Sequence, residues 1–169
     1  MKIQIRNEET KDIEHIRAIL CAAFPTDAES KLVEVLREHG KAVISLVAVH
    51  EGDVAGHILF SRVFITPAPP IDMKGIGLAP VAVRPEMQSQ GIGSQLIREG
   101  LQLCKDLGFD YCVVLGSPDY YHRFGFEKAS QFQIQNEYGV DDEFMILWLT
   151  DRHAAGLVKY VAEFAELSV

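Results

Sequence analysis

The sequence has no run of about 18 apolar residues, the length needed to cross a bilayer as a helix, so a membrane protein of the helical kind is not expected. Its first ten residues, MKIQIRNEET, lack the apolar stretch of a secretory signal, so export is not expected either. Cysteine is scarce: Cys21, Cys104 and Cys112 are scattered, odd in number and never paired as Cys-x-x-Cys. That argues against a disulfide framework or a zinc knuckle and fits the reducing cytoplasm. No lysine or arginine run occurs, and 24 acidic against 16 basic residues give a formal charge of −8. Nonspecific nucleic-acid binding is therefore disfavoured. There is no internal repeat and no low-complexity segment. What remains is a 169-residue chain, 48% apolar, which is enough for one domain over residues 1–169 with a sizeable core.

The periodicity supplies the elements. Residues 4–6 read as a short strand. Ile13, Ile16, Ile19, Leu20 and Phe24 fall on one helical face that Pro25 ends. Asp27 is placed to cap a second helix, with Leu32, Val33, Val35 and Leu36 as its apolar side and Gly40 as its stop. AVISLVAVHEGDVAGHILFSRVFI is rich in β-branched residues around EGD and predicts a hairpin flanked by His50 and His57. TPAPPIDMK (66–74) is a loop, GIGLAPVAV a buried strand, and IGSQLIREGLQLCKDLG a long helix with Ile92, Leu96, Ile97, Leu101, Cys104 and Leu107 on one side. YCVVL and EFMILWL predict further strands, PDYYHRFGF a short helix closed by Gly125, and residues 151–164 a last helix. Strand–helix–strand in the middle requires parallel strands, while the hairpin is antiparallel. The class is α/β, an α+β mixed sheet with helices on both faces.

QSQGIGSQL (88–96) stands where a strand gives way to a helix. The first amides of a helix have no partner within it, and the helix dipole favours an anion there. Glycine lets an anion approach such amides closely. Gly91 and Gly93, with the amides of Ser94 and Gln95, are placed to cradle a phosphate; a tight turn with no ligand uses the same residues. A dinucleotide fingerprint would need a third glycine where Leu96 stands and an acid after the next strand, whereas Asp110 precedes it. A nucleoside-triphosphate loop would need Gly-Lys-Ser/Thr, which is absent.

VAVRPEMQSQGIGSQLI (81–97) resembles the acetyl-CoA-binding motif of the GNAT superfamily of N-acetyltransferases, and YYHRFGF (120–126) resembles the superfamily's next motif. DAESKLVEVLRE and GSPDYYHRFGF look like one branch of uncharacterised bacterial acetyltransferases. The resemblance implies a GNAT-like fold and transfer of an acetyl group from acetyl-CoA, as cosubstrate and without a metal, to a primary amine by direct attack in a ternary complex. It also implies that backbone groups of Val81, Ala82 and Val83 pair with the pantetheine arm. Amides of Ser89, Gln90, Gly91, Ile92, Gly93 and Ser94 would hold the pyrophosphate with Gln88 at its edge, and Tyr121 would sit near the sulfur. The implied partners are a small-molecule or peptide amine and, if the chain self-associates, a second copy in a homodimer.

The chemistry needs a donor for the carbonyl oxygen, a proton for the departing thiolate and a base for the amine. A backbone amide near Val83 is the expected oxyanion donor and Tyr121 the acid; Tyr120 would point elsewhere on a helix. Many GNAT members carry a carboxylate on the strand corresponding to YCVVL, and none lies within residues 111–115 or 79–83. Glu29, in the second helix, is the candidate base; a solvated first-turn acid is the other reading of it. A noncatalytic acyl-CoA-binding or sensing module is the alternative that the missing carboxylate keeps open. His50 and His57 read as surface or sheet positions and His122 as facing away. Cys104 and Cys112 read as buried apolar residues, and Glu163 and Glu166 as solvated.

Overall fold

The computed structural model describes residues 1–166. Its elements are β1 (Gln4–Asn7), α1 (Ile13–Ala23), α2 (Ala28–Glu38), β2 (Ile44–His50), β3 (Asp53–Thr66), β4 (Gly75–Val83), α3 (Ile92–Asp106), β5 (Tyr111–Leu115), α4 (Pro118–His122), β6 (Glu127–Lys128), β7 (Ile134–Asn136), β8 (Phe144–Trp148) and β9 (Gly156–Tyr160), with short 3₁₀ turns between some of them. None of the described helices is long and apolar enough to cross a membrane. Contacts divide the chain into two units. One holds Met1–Phe60, Pro80–Leu101 and the segment that starts at Glu163; the other holds Ser61–Ala79 and Gln102–Ala162.

In the first unit β1 pairs antiparallel with β2, and β2 with β3. Glu51 and Gly52 join the hairpin with φ of 50° and 83°, the double positive φ that matches a tight turn to strand twist. Helix α1 stops at Ala23 because Phe24 precedes Pro25 and is extended, with φ −115° and ψ 153°. Its Ile16, Ile19 and Leu20 are buried, each contributing about 1.5–3 kcal/mol by leaving water. Gly40 closes α2 at φ 69°, and Lys41 N–H reaches back to Leu36 O at 2.8 Å, a glycine-dependent helix stop. Asp27 stands before α2 but does not cap it through its side chain. Thr26 Oγ1 takes the Ala28 N–H at 3.2 Å, and the Asp27 carboxylate instead pairs with Lys31 at 3.2 Å.

Adjacent residues of a strand face opposite ways. Gly56 of β3 faces α3, where an added Cβ would lie 3.1 Å from both Leu96 Cδ1 and Ala82 O. Gly100 of α3 similarly makes room for the Phe60 ring, which a Cβ would meet at 2.3 Å. His57 turns the other way and is fully buried, a sheet position deeper than a hairpin flank implies. Its Nε2 lies 2.8 Å from Ser45 Oγ, which donates to Glu8 Oε1 at 2.8 Å. Arg37, in the last turn of α2, grips Glu8 with two bonds of 2.8 Å. This network ties α2 to the sheet. His57 Nδ1 is buried without a partner, so the network assigns the proton to Nε2.

In the second unit β4 and β5 are parallel, with Gly75 opposite Tyr111 and Gly77 opposite Val113. β5 pairs antiparallel with β8, and β8 with β6. The helix expected over 151–164 is absent: Gly156–Tyr160 form β9, followed by a 3₁₀ turn at Ala162–Glu166. β9 pairs antiparallel with Val63–Thr66 of β3 and parallel with β7. Gly156 has φ 143°, and a Cβ there would lie 2.7 Å from Ile65 and 2.9 Å from Thr66 O. Tertiary pairing thus overrides the weak helical pattern. Leu107, expected on the buried side of α3, is 50% exposed because the helix ends at Asp106. Glu163, expected to be solvated, has an 8% exposed side chain held by Lys41 at 2.8 Å and His39 at 2.7 Å, which holds its carboxyl down at about 2. The Glu166 side chain lies outside the described residues.

The Glu8 network makes stability pH-dependent in a definite direction. Burial pushes the Glu8 carboxyl up, but the nearby His57 ring, 3.7 Å away, and the hydrogen bonds from Arg37 and Ser45 outweigh it and hold the group well below the usual range. Burial pushes His57 down, so the ring is neutral at pH 7 and Arg37 is the counter-charge. A depressed carboxylate stabilises the fold above its unfolded pKa, about 4.3, and that stabilisation is lost as pH falls below it. Glu8→Gln is therefore expected to cost about 1–3 kcal/mol at pH 7, with the deficit shrinking between about pH 5 and pH 3. Urea unfolding at pH 7, 5 and 3 checks this, and a deficit constant with pH would count against it.

Candidate functional site

Strand β4 changes character along its length. It pairs with β5 over Gly75–Gly77, and its neighbour on the other side is β3. Arg84 N–H donates to Ala55 O at 2.8 Å, and Arg84 Nη2 to Val54 O at 2.6 Å. Ala82 O abuts Gly56 of β3. In a strand the N–H and C=O of one residue point to the same edge and those of the next residue to the other. With residues 82 and 84 turned to β3, Val81 and Val83 present their N–H and C=O at the opposite edge. Pro80 has no N–H to offer there. Of the three residues expected to line a pantetheine arm, Val81 and Val83 have edge-facing groups; Ala82 does not, and its side chain is buried in the core.

After β4 the chain makes a 3₁₀ turn at Pro85–Met87, and Met87 N–H closes on Arg84 O at 2.8 Å. Gln88 then donates through Nε2 to Val83 O at 3.1 Å. Ser89 and Gly91 adopt φ of 63° and 86°, so the positive φ that the motif needs lies there and not at Gly93. Gln95 N–H bonds to Gly91 O at 3.0 Å. That corrects the expectation for Gln95: its amide belongs to the helix ladder, and the helix-start amides without an intrahelical acceptor are those of Ile92, Gly93 and Ser94. Residues 88–91 are exposed, whereas the Ile92 side chain is 1% exposed and anchors the turn against the core. The arrangement is a fixed turn with outward amides at the positive end of a 15-residue helix.

Glu29 sits in the first turn of α2, half-buried, and its Oε1 is buried without a hydrogen-bond partner. A fully solvated first-turn acid would not leave an oxygen so placed. A buried carboxylate oxygen lacking a donor costs free energy unless a cation or donor arrives.

In the second unit Tyr121, on α4, is 8% exposed. Its ring packs edge-on to Phe126 at 5.8 Å and to Tyr120 at 5.1 Å. Gly116 makes this possible, since a Cβ there would lie 2.3 Å from the Tyr121 ring. The sequence carries a glycine directly after YCVVL, but only the packing of α4 shows that it makes room for this side chain. Burial pushes the Tyr121 phenol well above its usual range, so it stays a hydrogen-bond donor at neutral pH. Tyr120 is half-buried, with the Arg123 guanidinium over its ring at 4.4 Å. His122 is exposed, and its Nδ1 lies 3.3 Å from Phe126 O. Cys104 and Cys112 are buried, and burial pushes Cys104 up to about 12 and Cys112 well above the thiol range, which suits neither to act as a thiolate. Asp110 is committed to structure: it accepts from Lys74 N–H and Thr150 Oγ1, both at 2.8 Å.

Comparison with known proteins supplies the family context. The family described as "Acetyltransferase (GNAT) family" matches residues 13–126. The uncharacterized N-acetyltransferase YhbS of Escherichia coli strain K12 is 38% identical over 165 residues, covering 95% of this chain and 97% of that protein. The uncharacterized N-acetyltransferase YjhQ of the same strain is 35% identical over 144 residues, covering 83% and 79%. The crystal structure of the E. coli GNAT family N-acetyltransferase YhbS in complex with CoA superposes with a TM-score of 0.93 at 34% identity, over 100% of this chain and 95% of that one. A GNAT family acetyltransferase from Brucella melitensis in complex with acetyl-CoA superposes with a TM-score of 0.81 at 36% identity, over 96% and 98%.

The turn geometry yields a test. Gly93 lies in the first turn of α3 without a positive φ, so its backbone does not exclude valine, whose intrinsic helix penalty is below about 1 kcal/mol. Its side chain would cover the outward amides. Gly93→Val is expected to weaken CoA binding by more than tenfold while moving the urea midpoint little. Calorimetry beside urea unfolding checks it; unchanged affinity in a folded variant would make the glycine a turn-former only.

Proposed function

For a chain that belongs to the GNAT acetyltransferase family, as its family match and its likeness to YhbS show, we propose transfer of the acetyl group of acetyl-CoA to a primary amine, on a small molecule or a peptide, by direct attack in a ternary complex. One observation carries the reading: an edge of β4 with paired polar groups at Val81 and Val83 that runs into exposed amides at the start of α3. An extended arm with amides suits the first and a pyrophosphate suits the second. The known structures in complex with CoA and acetyl-CoA support it.

In this reading the amides of Ser89, Gln90, Gly91, Ile92, Gly93 and Ser94 hold the pyrophosphate, with Gln88 at its edge. The arm runs from there back along β4, so it meets Val83 before Val81. An edge-facing N–H of β4 then donates to the thioester oxygen as it gains charge. The amine lone pair attacks the carbonyl carbon, the C–S bond breaks, and the amide product and CoA thiol form. Attack makes the nitrogen acidic, and Glu29, directly or through water, takes that proton. Tyr121 donates to the sulfur as it becomes a thiolate. Its raised phenol favours a hydrogen bond over complete proton loss, because a thiolate of ordinary pKa, about 8.5, is the weaker base; the sulfur therefore leaves as a thiolate held by that bond and gains the proton of the thiol from solvent. Free thiols and this cosubstrate suit the cytoplasm.

Release of CoA thiol on adding acetyl-CoA and an amine library tests the activity; absence of release with every amine, in a protein that binds CoA, would overturn transfer. Once an acceptor is in hand, Tyr121→Phe is expected to lower turnover about a hundredfold, the low end for general acid catalysis, with CoA affinity within a few fold. Tyr120→Phe is the matched control and should behave as wild type. Equal initial rates for Tyr121→Phe and wild type would remove the phenol from the mechanism.

A further inference from the structure

The Gln88–Val83 bond joins two groups that the proposed cofactor would also use. Val83 turns its carbonyl to the edge away from β3, because Arg84 N–H is engaged by Ala55 O at 2.8 Å on the other side. That carbonyl is already taken: Gln88 Nε2 donates to it at 3.1 Å across the Pro85–Met87 turn. Gln88 is exposed, so the bond is not forced by packing. An edge carbonyl left open to water would cost little, but an edge carbonyl under an apolar ligand segment would need a donor.

We propose, on the acetyl-CoA reading above, that Gln88 is a placeholder for the cofactor. Its side-chain amide holds the Val83 carbonyl at 3.1 Å. On loading, it yields that carbonyl to a secondary amide of the pantetheine arm and turns its own N–H donors to the pyrophosphate. Three features support the exchange. The arm reaches Val83 first along β4, and strand-like pairing there needs an acceptor for an arm N–H. Gln88 precedes the loop of outward amides by one residue, so a rotation of its side chain moves the donor from the edge to the loop. A hydrogen bond to an anionic oxygen is also stronger than one to a neutral carbonyl, so the exchange runs downhill when a pyrophosphate is present. Gln88 is neutral and has both donor and acceptor atoms, which lets it leave the carbonyl without stranding a charge.

The device predicts opposite effects for two ligands. S-acetylpantetheine has the arm but no phosphate, so it must displace Gln88 with nothing for Gln88 to move to. Gln88→Ala removes the competitor and is expected to tighten S-acetylpantetheine about two- to fivefold, since the binding-competent edge is then always open. The same variant is expected to weaken CoA by a similar factor, through the lost pyrophosphate contact. Gln88→Met, which keeps the length without the donor, should show the same crossed pattern, and urea unfolding shows whether either variant is intact. Binding is read from the Val83 amide resonance in ¹⁵N-labelled protein, which registers weak ligands. Weaker binding of both ligands, or an unchanged affinity for S-acetylpantetheine, overturns the placeholder. A Val83 amide that CoA does not perturb in a protein that binds CoA overturns it as well. Failure of the wild type to bind CoA at all defeats the acetyl-CoA reading instead.

Discussion

The sidedness of one strand end governs the site. A peptide backbone cannot turn the polar groups of neighbouring residues to the same edge, so fixing Arg84 and Ala82 on β3 dictates what Val81 and Val83 offer on the other side. Gly56 takes part in that fixing, because its missing Cβ lets Ala82 O come close. Pro80 adds an acceptor without a donor just before the open stretch. The loop then begins where the strand has already been oriented, and Ile92, buried against the same face of β3, sets the direction in which α3 starts. Edge and helix start are thus consequences of one packing arrangement.

How much of this was legible in the sequence depended on how local its cause was. The turn at 88–94 could be read because glycine spacing and helix-start chemistry are written in adjacent residues. The hairpin at Glu51 and Gly52 could be read for the same reason. The use of the Gln95 amide could not, since it depends on where the helix begins, and one residue of shift changes which amides are outward. The last strand was read as a helix because what makes it a strand, the edge of β3 at Val63–Thr66, lies far away in sequence. Glu163 looked solvated for a similar reason: its partner Lys41 is 122 positions distant. His57 is a sheet position, one of the two settings expected for it, but its full burial depends on Ser45 and Glu8, which no local pattern pairs with it.

The side chains expected to do chemistry are held in contrasting ways. The Tyr121 ring is held by its aromatic neighbours and by the space at Gly116, and burial pushes its phenol up. Glu29 is held only by its helix and keeps an oxygen without a partner. A group packed in this way is suited to a reacting atom that arrives in one place. A group with an unused oxygen is suited to acceptors that vary in shape.

The pairing of β9 with β3 also bears on how the chain is made. Val63 and Tyr160 are opposite one another although roughly a hundred residues separate them. Until residues 156–160 leave the ribosome, the Val63–Thr66 stretch of β3 has an unsatisfied edge, and Phe64 within it is 48% exposed even in the finished fold. An open, apolar strand edge invites pairing with another chain. The second unit therefore closes only once residues 156–160 have been made, and a chain stopped before them leaves that edge of β3 open to pairing with other chains.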